Sequence, residues 1–356
     1  MSTLDDLPIR DDLRGQKPYG APQLSVPVSL NVNENTFGIP EPVALAIVEK
    51  LAKATIGLNR YPDREFIQLR EQLASFLGHS LEAKQLWAAN GSNEILQQLF
   101  SAFGGPGRKA LSFGPTYSMY PNIARTTLTE YVERPRAADF YLTPELVEEA
   151  ISIEKPSIVI ICAPNNPTGT AVSLEVIERA YSATDGMLIV DEAYAEFSDG
   201  PSALSLLPNR PRLVISRTMS KAFAFAGARL GYLAADPAVV DALRIVRLPY
   251  HLSALTQAAA SAALEHADLL LQNVEKIKQQ RDRIIEATSQ WRLRPYASDA
   301  NFVLVGGFEN PEQVFEKLLQ AGVLVRNVGI PNTLRITAGT ESETTKLLAE
   351  LALVLD

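Results

Sequence analysis

Short apolar runs alternate with helix-favouring stretches between about residues 86 and 233, and this alternation limits the possible folds more than any other feature of the sequence. The runs are residues 109–113, 158–161, 188–190, 213–216 and 229–234. Runs this short and apolar are typical of strands buried on both faces, and the helices between them connect strands that lie parallel. The sequence therefore predicts an α/β fold, with a large three-layer αβα domain built on a mainly parallel sheet.

The two ends of the chain have a different pattern. Residues 1–35 contain Pro18, Pro22 and Pro27 and are too broken for a helix. Residues 255–290 favour one long helix, and residues 301–355 follow a strand, helix, strand, strand, helix pattern. We therefore expect a small α+β domain made from residues 1–35 and 255–356, which the long helix joins to a large domain of residues 36–254.

A lysine with neighbouring hydroxyl groups follows one of the predicted strands. Residues 214–221 read Val-Ile-Ser-Arg-Thr-Met-Ser-Lys, and a loop of small residues then leads to an arginine at position 229. Lys221 can form an imine with an aldehyde cofactor, while Thr218, Ser220 and Arg229 can hold the phosphate of that cofactor. The alternative is an ordinary surface lysine after a strand.

An aspartate at the end of another predicted strand indicates which cofactor this is. Asp191 directly follows the apolar residues 187–190, and open α/β sheets bind ligands at the carboxyl ends of their strands. A carboxylate beside a pyridine nitrogen keeps that nitrogen protonated, because an opposite charge favours the charged form of each partner. A protonated pyridine ring withdraws electrons from a carbanion, which is the chemistry of pyridoxal 5′-phosphate (PLP).

Two further segments fit the same cofactor. Residues 163–169 read Ala-Pro-Asn-Asn-Pro-Thr-Gly, and here Asn166 can donate a hydrogen bond to the ring hydroxyl of PLP, which Tyr194 can share. Ser92 and Asn93 follow a glycine and begin a predicted helix, whose free N–H groups can bind phosphate. The alternatives are a turn whose asparagines bind only the backbone, and a plain helix cap.

These motifs, in this order, resemble those of the fold-type I PLP-dependent aminotransferases over nearly the whole chain. Among them the chain is most similar to the histidinol-phosphate aminotransferases, particularly their actinobacterial branch. The sequence departs from the family at Thr36, where proline is usual, and at Ala163, where asparagine is common; neither position carries a group with a chemical role. The segments that carry the resemblance are residues 11–15, 18–22, 30–35, 59–63, 87–94, 217–223 and 247–253.

The resemblance implies roles for more residues. Lys221 is then the catalytic residue, which holds PLP and moves the substrate proton, and Tyr117 stacks on the cofactor ring unless it is only a packing aromatic. Tyr61 would reach the cofactor phosphate of the neighbouring subunit in a homodimer, rather than pack within its own subunit. Arg335 matches the arginine that receives a substrate carboxylate in aminotransferases.

The substrates implied by the resemblance are histidinol phosphate and 2-oxoglutarate, with glutamate as product, in histidine biosynthesis. Arg326 and Arg335 are expected to hold the substrate phosphate and carboxylates, although charged residues at strand ends are commonly just solvated. Tyr19 and Tyr250 are expected to line the imidazole and phosphate side of the pocket. The alternatives are an aromatic amino-acid aminotransferase, a PLP-dependent lyase or decarboxylase, and a PLP-binding regulator.

Composition narrows the possible partners and location. The 356 residues carry a formal net charge of −8, which argues against nucleic acid or an anionic membrane as a partner. Cys162 is the one cysteine, so no internal disulfide is possible, and the three histidines are too widely spaced for a metal site. The polar start does not resemble a signal peptide, and no apolar run is long enough to span a membrane. We expect a cytoplasmic enzyme.

Overall fold

The computed structural model describes residues 3–18, 20 and 22–355, in which strands and helices alternate much as predicted. No helix in these ranges combines the length and apolar character needed to cross a membrane. In chain order, the strands are β1 (Val28–Ser29), β2 (Leu86–Ala89), β3 (Lys109–Gly114), β4 (Glu130–Pro135), β5 (Ile158–Cys162), β6 (Met187–Asp191), β7 (Leu213–Thr218), β8 (Gly231–Ala235), β9 (Arg294–Pro295), β10 (Phe302–Gly306), β11 (Val323–Leu324) and β12 (Thr333–Thr337).

The first α-helix begins at Glu41. In chain order the helices are α1 (Glu41–Ile56), α2 (Ile67–Leu77), α3 (Ser92–Phe103), α4 (Met119–Thr126), α5 (Pro144–Glu154), α6 (Leu174–Ala183), α7 (Pro237–Val246), α8 (Ala254–Glu265), α9 (Ala267–Gln290), α10 (Pro311–Gln320) and α11 (Glu341–Leu355). Short 3-10 helices cover Leu4–Asp6, Asp11–Leu13, Ala83–Gln85, Ala195–Phe197, Ala203–Leu206 and Ala226–Ala228.

The central sheet has the order β2-β8-β7-β6-β5-β3-β4. Neighbouring strands from β4 to β7 are parallel, while β8 is antiparallel to both β7 and β2. Strands β5 and β6 are buried along their whole length, as their apolar sequences predict. In this register Asp191 lies between Cys162 on β5 and Ser216 on β7, so the carboxyl ends of the parallel strands bring polar groups together.

The two chain ends meet in small sheets. Strand β1 pairs with β11 in parallel, and β10 pairs antiparallel with β12 and β9. The predicted order of elements after residue 301 is confirmed by β10, α10, β11, β12 and α11. The exact division into a large and a small domain stays a prediction.

Two sequence predictions need correction. The single helix predicted over residues 255–290 is divided at His266 into α8 and α9, because α8 packs against α1 and α2 while α9 packs against β9, β10 and α11. The strand predicted from residue 229 begins at Gly231 instead. Arg229 has a left-handed backbone conformation (φ 55°) at the end of the turn Ala226–Ala228, so it cannot continue a strand.

Candidate active site

A cavity of about 400 Å³ lies where the parallel strands of the central sheet end. Twelve of the residues predicted from the sequence line this cavity. They are Ser92, Asn93, Tyr117, Asn166, Asp191, Tyr194, Thr218, Ser220, Lys221, Arg229, Arg326 and Arg335.

Lys221 lies just after β7 in the wall of the cavity. Its Nζ donates a hydrogen bond to the carbonyl oxygen of Val32, 3.1 Å away. Burial, followed by the positive charge of Arg335, lowers the pKa of Lys221 to about 8. A lysine with a pKa this close to neutrality loses its proton readily, as both a nucleophilic amine and a general base must.

Asp191 is the last residue of β6, and its two carboxylate oxygens have different surroundings. Oδ2 accepts a hydrogen bond of 2.8 Å from the hydroxyl of Tyr120. Oδ1 is buried and has no hydrogen-bond partner among the residues that the structure describes. Burial raises the pKa of Asp191 to about 6, although the hydrogen bond from Tyr120 opposes this rise. Above that pH the site holds a buried negative charge that favours a cationic N–H donor in the cavity.

A polar network surrounds the hydroxyl of Tyr194. The Tyr194 oxygen accepts hydrogen bonds from Asn33 Nδ2 at 3.0 Å and from Asn166 Nδ2 at 3.3 Å. Because both contacts use the oxygen as acceptor, its proton is left to donate to a ligand. Nη1 of Arg335 in turn donates to Asn166 Oδ1 at 2.7 Å, which fixes the orientation of the amide. The cavity therefore presents two oriented donors, the Tyr194 hydroxyl and the second N–H of Asn166.

An anion-binding cup lies at the amino terminus of α3. The N-cap is Gly91, so Ser92 and Asn93 are the first two helical residues, as predicted, and their N–H groups lack intrahelical acceptors. A Cβ on Gly91 would lie 2.6 Å from Nη2 of Arg229, so the absent side chain makes room for this guanidinium beside the helix end. Helix N–H groups and an arginine together favour a phosphate.

Hydroxyl groups complete the cup. The Oγ1 of Thr218 donates to the Oγ of Ser220 at 3.0 Å, and both side chains are buried. Tyr117 borders the same region, since its hydroxyl donates to Asn93 Oδ1 at 3.2 Å and its ring meets the edge of the Tyr120 ring, with centroids 5.4 Å apart. These contacts hold the Tyr117 ring at the cavity wall.

The remaining predicted residues lie elsewhere. Tyr61 and Tyr250 do not line the cavity; their rings stack on each other at the surface, with centroids 4.4 Å apart and an interplanar angle of 12°. Tyr19 lies outside the described residues. Arg326 does line the cavity and forms an isolated antiparallel bridge with Arg335.

Residues 25–351 match the family of class I and II aminotransferases, which is most of the chain. The chain belongs to this family. The predicted resemblance, the α/β fold class and the aminotransferase activity are thereby confirmed.

Several named proteins are similar to this chain over nearly its whole length. The histidinol-phosphate aminotransferase of Paenarthrobacter aurescens (strain TC1) is 58% identical to this aminotransferase over 361 residues, which cover 100% of this chain and 97% of the relative. The protein of the same name from Thermobifida fusca (strain YX) is 55% identical, with 96% of this chain and 94% of the relative covered. The crystal structure of histidinol-phosphate aminotransferase from Sinorhizobium meliloti in complex with PLP matches with a TM-score of 0.85 and 26% identity, over 93% of this chain and 91% of that chain.

Aminotransferases of this family depend on PLP, and the cavity has the groups that such a cofactor requires. The unpartnered Oδ1 of Asp191 suits the protonated nitrogen of the pyridine ring. The cup formed by the start of α3 and Arg229 suits the phosphate, and the donors at Tyr194 and Asn166 suit the ring oxygen. The residues present therefore fit PLP, as predicted.

Several residues of the aminotransferase site were not predicted. Arg136 is buried and donates to the carbonyl oxygens of Phe113 at 2.9 Å and Phe140 at 3.2 Å, and to Asn165 Oδ1 at 3.0 Å. Asn165 in turn donates to the carbonyl oxygen of Pro115 at 2.9 Å. These contacts connect the turn that carries Tyr117 to the turn that carries Asn166. Neither Arg136 nor the buried Tyr120 belongs to a local motif, so the sequence pattern offered no signal for them.

Proposed function

We propose that this aminotransferase exchanges the amino group between L-histidinol phosphate and 2-oxoglutarate, a reaction of L-histidine biosynthesis. The observation that carries the proposal is its 58% and 55% identity, over nearly the full lengths, to two relatives named histidinol-phosphate aminotransferase. The fold alone would not identify the reaction, because one fold supports several PLP chemistries.

The arrangement of Arg326 and Arg335 supports a doubly anionic substrate. Their backbones are paired, with Arg326 N 3.0 Å from Arg335 O and Arg335 N 2.8 Å from Arg326 O. Like charges directly opposite each other on paired strands repel, and both side chains line the cavity. A phosphate or a carboxylate between the guanidinium groups would offset this repulsion, which suits both histidinol phosphate and the keto acid.

The roles of the other residues follow from their positions. We assign the pyridine nitrogen of PLP to Asp191, the ring oxygen to Tyr194 and Asn166, and the phosphate to the cup at the start of α3. PLP, when bound, supplies an electron sink for the reacting carbon of the substrate. Nζ of Lys221 is the group that accepts and returns the proton of that carbon, because its lowered pKa makes the amine neutral near pH 7 far more often than that of an ordinary lysine.

A substrate panel on the purified protein tests the proposal. With 2-oxoglutarate as acceptor, kcat/KM should be much higher for histidinol phosphate than for phenylalanine, and one glutamate should form per amine consumed. Preference for phenylalanine would instead identify an aromatic amino-acid aminotransferase. Release of carbon dioxide without glutamate would identify a decarboxylase.

Arginine variants then test the anion pocket. Arg326→Ala should reduce kcat/KM for histidinol phosphate tens- to a hundred-fold, because a charged contact contributes on the order of 2–3 kcal/mol, and should affect phenylalanine less. Arg335→Ala should impair both half-reactions, since the keto acid also uses it. Arg108→Ala is the matched control, because Arg108 is an exposed arginine outside the cavity whose side chain donates to the carbonyl oxygen of Phe103. Equal losses for both amines in Arg326→Ala would contradict the phosphate assignment.

We also propose a homodimer in which Tyr61 serves the cavity of the neighbouring subunit. Tyr61 is 79% exposed and does not line the cavity of its own chain. Its partner Tyr250 follows Leu248, which is 76% exposed, and such apolar surface is commonly covered by a second protein. A two-fold contact would place two such tyrosines at one interface. A cytoplasmic location stays a prediction.

Subunit mixing tests the shared site. Tyr61→Phe and Lys221→Ala subunits are each expected to be impaired alone, but a mixed dimer should contain one intact site and regain activity. Tyr141→Phe, which changes another exposed tyrosine, is the control and should behave like the unchanged protein. Absence of recovery after proven subunit exchange, or a monomer in sedimentation, would contradict the proposal.

A further inference from the structure

Tyr120 is a buried residue that contacts the site without lining the cavity. It belongs to α4, which begins two residues after the Tyr117 that borders the cofactor cup. Its side chain is completely buried, and its hydroxyl donates to Asp191 Oδ2 at 2.8 Å across 71 positions of sequence. The helix therefore delivers a hydroxyl donor to the carboxylate from a residue that does not line the cavity.

This hydrogen bond gives the two oxygens of the Asp191 carboxylate different roles. Oδ2 is held by Tyr120, and no other side-chain donor contacts Asp191 within the described part of the chain. Oδ1 is buried, unpartnered there, and belongs to a residue that lines the cavity. Holding one oxygen removes the freedom of the carboxylate to rotate, so the other oxygen has one orientation available for a ligand.

Besides Tyr120, the backbone N–H of Ala193 favours the charged form of Asp191, whereas burial and the negative charge of Glu192 favour its neutral form. Burial is the largest of these effects, and the resulting pKa of Asp191 is raised to about 6. Cys162 on β5 is neutral, because burial raises its pKa to about 12, and burial likewise raises the pKa of Tyr194. The buried guanidinium of Arg136 contacts carbonyl oxygens and an amide rather than Asp191. The Tyr120 hydroxyl is the main contact that favours the charged carboxylate.

We propose that Tyr120 is a positioning residue that keeps Asp191 ionised and turns its free oxygen to the pyridine nitrogen of the cofactor. The inference rests on the proposed placement of PLP and not on the identity of the substrate. Tyr120 does not line the cavity, so it would act only through Asp191.

Titration of Asp191 in the cofactor-free protein tests this directly. The carboxylic acid band of Asp191 is identified by infrared difference spectroscopy as the band that Asp191→Asn removes. In Tyr120→Phe the midpoint of this band should rise by roughly one to two pH units, the size expected for the loss of a hydrogen bond to a charged group. Tyr131→Phe is the matched control, because it also removes a tyrosine hydroxyl that donates to a carboxylate, Glu133 Oε2 at 3.1 Å, but on β4. It should leave the midpoint unchanged.

Cofactor affinity provides the second measurement. PLP binding by Tyr120→Phe should be weakened most near pH 6 to 7 and should approach that of the unchanged protein near pH 9, where Asp191 ionises again. A loss of equal size at every pH, or an unchanged titration midpoint, would overturn the proposal. Neither measurement uses histidinol phosphate, so a wrong substrate assignment would not affect them.

If Tyr120→Phe does not fold, a second variant with the opposite expected shift in the Asp191 midpoint tests the same proposal. Difluorotyrosine at position 120 keeps the shape of the side chain and makes its hydroxyl a stronger donor. The Asp191 midpoint should then fall below that of the unchanged protein. A midpoint that stays the same or rises would also overturn the proposal.

Discussion

Gly231 provides a test of how the cofactor cup is built. This residue begins β8, next to the turn at the start of α3, and a Cβ placed on it would overlap the backbone nitrogen of Ser92 and the backbone carbon of Gly91. It would also lie 2.7 Å from Cα of Ser92. All three atoms belong to the backbone, so no flexible side chain can move aside. We predict that Gly231→Ala displaces the turn that supplies the phosphate-binding N–H groups.

The size of the effect follows from the overlap. Overpacking of a buried site typically costs about 1–3 kcal/mol, and a clash with backbone belongs to the upper part of this range. The cost can appear as lost stability if the turn stays in place, or as lost affinity if the turn moves. If it appeared entirely in cofactor binding, 1–3 kcal/mol would correspond to a roughly five- to 150-fold increase in the Kd for PLP.

Two measurements on the same variant separate these outcomes. Urea unfolding of the cofactor-free protein gives the free energy of unfolding, and titration with PLP gives the Kd. Gly227→Ala is the matched control, because Gly227 lies in the preceding turn and a Cβ there meets nothing within 4 Å. The sum of the two costs should exceed about 1 kcal/mol for Gly231→Ala and stay near zero for Gly227→Ala. Wild-type stability together with wild-type affinity in Gly231→Ala would refute the reasoning.

Further predictions concern buried charges, each measured by urea unfolding of the cofactor-free protein. The pKa of Lys221 falls from 10.5 to about 8 on folding, so Lys221→Met should be the more stable protein at pH 7, and its advantage should shrink as pH rises from 8 to 10.5. Arg136→Met should lower the free energy of unfolding by about 1–3 kcal/mol, because Asn165 and two carbonyl groups lose their donor. A change below the error of measurement would contradict a stabilising role for these hydrogen bonds. Arg217→Met leaves the Glu192 carboxylate buried without its guanidinium and should cost about 3–5 kcal/mol at pH 8.

The residues that we propose to bind the cofactor could be placed at one site from the sequence, because they lie at the ends of strands and helices that local patterns predict. Asp191 directly follows four apolar residues, and Lys221 follows another such run, so the parallel order of the strands was enough to bring the two together. The start of α3 could be predicted in the same way from the glycine turn that precedes it. In each case a local pattern predicted the element, and the fold class predicted the edge of the sheet at which it ends.

The supporting contacts could not be predicted, because they join distant parts of the chain. Tyr120 meets Asp191 across 71 positions, and Arg136 meets Asn165 across 29. Nothing in the residues around Tyr120 distinguishes it from an ordinary buried aromatic on an amphipathic helix. The division of the predicted long helix at His266 has the same origin, since its two halves pack against different elements and local helix preference does not report this.

The charges of the cavity determine how a cofactor must lie in it. Arg229 and the N–H groups at the start of α3 make one end positive, while the buried carboxylate of Asp191 makes the other end negative. A ligand with a phosphate at one end and a basic ring nitrogen at the other can satisfy both ends in one orientation only, because the reverse places like charges together. In that orientation Lys221, which lines the same cavity and follows the strand next to that of Asp191, would be the amine available to the reacting carbon of such a ligand. The polarity of the cavity would then select the reacting group as well as the orientation of the cofactor.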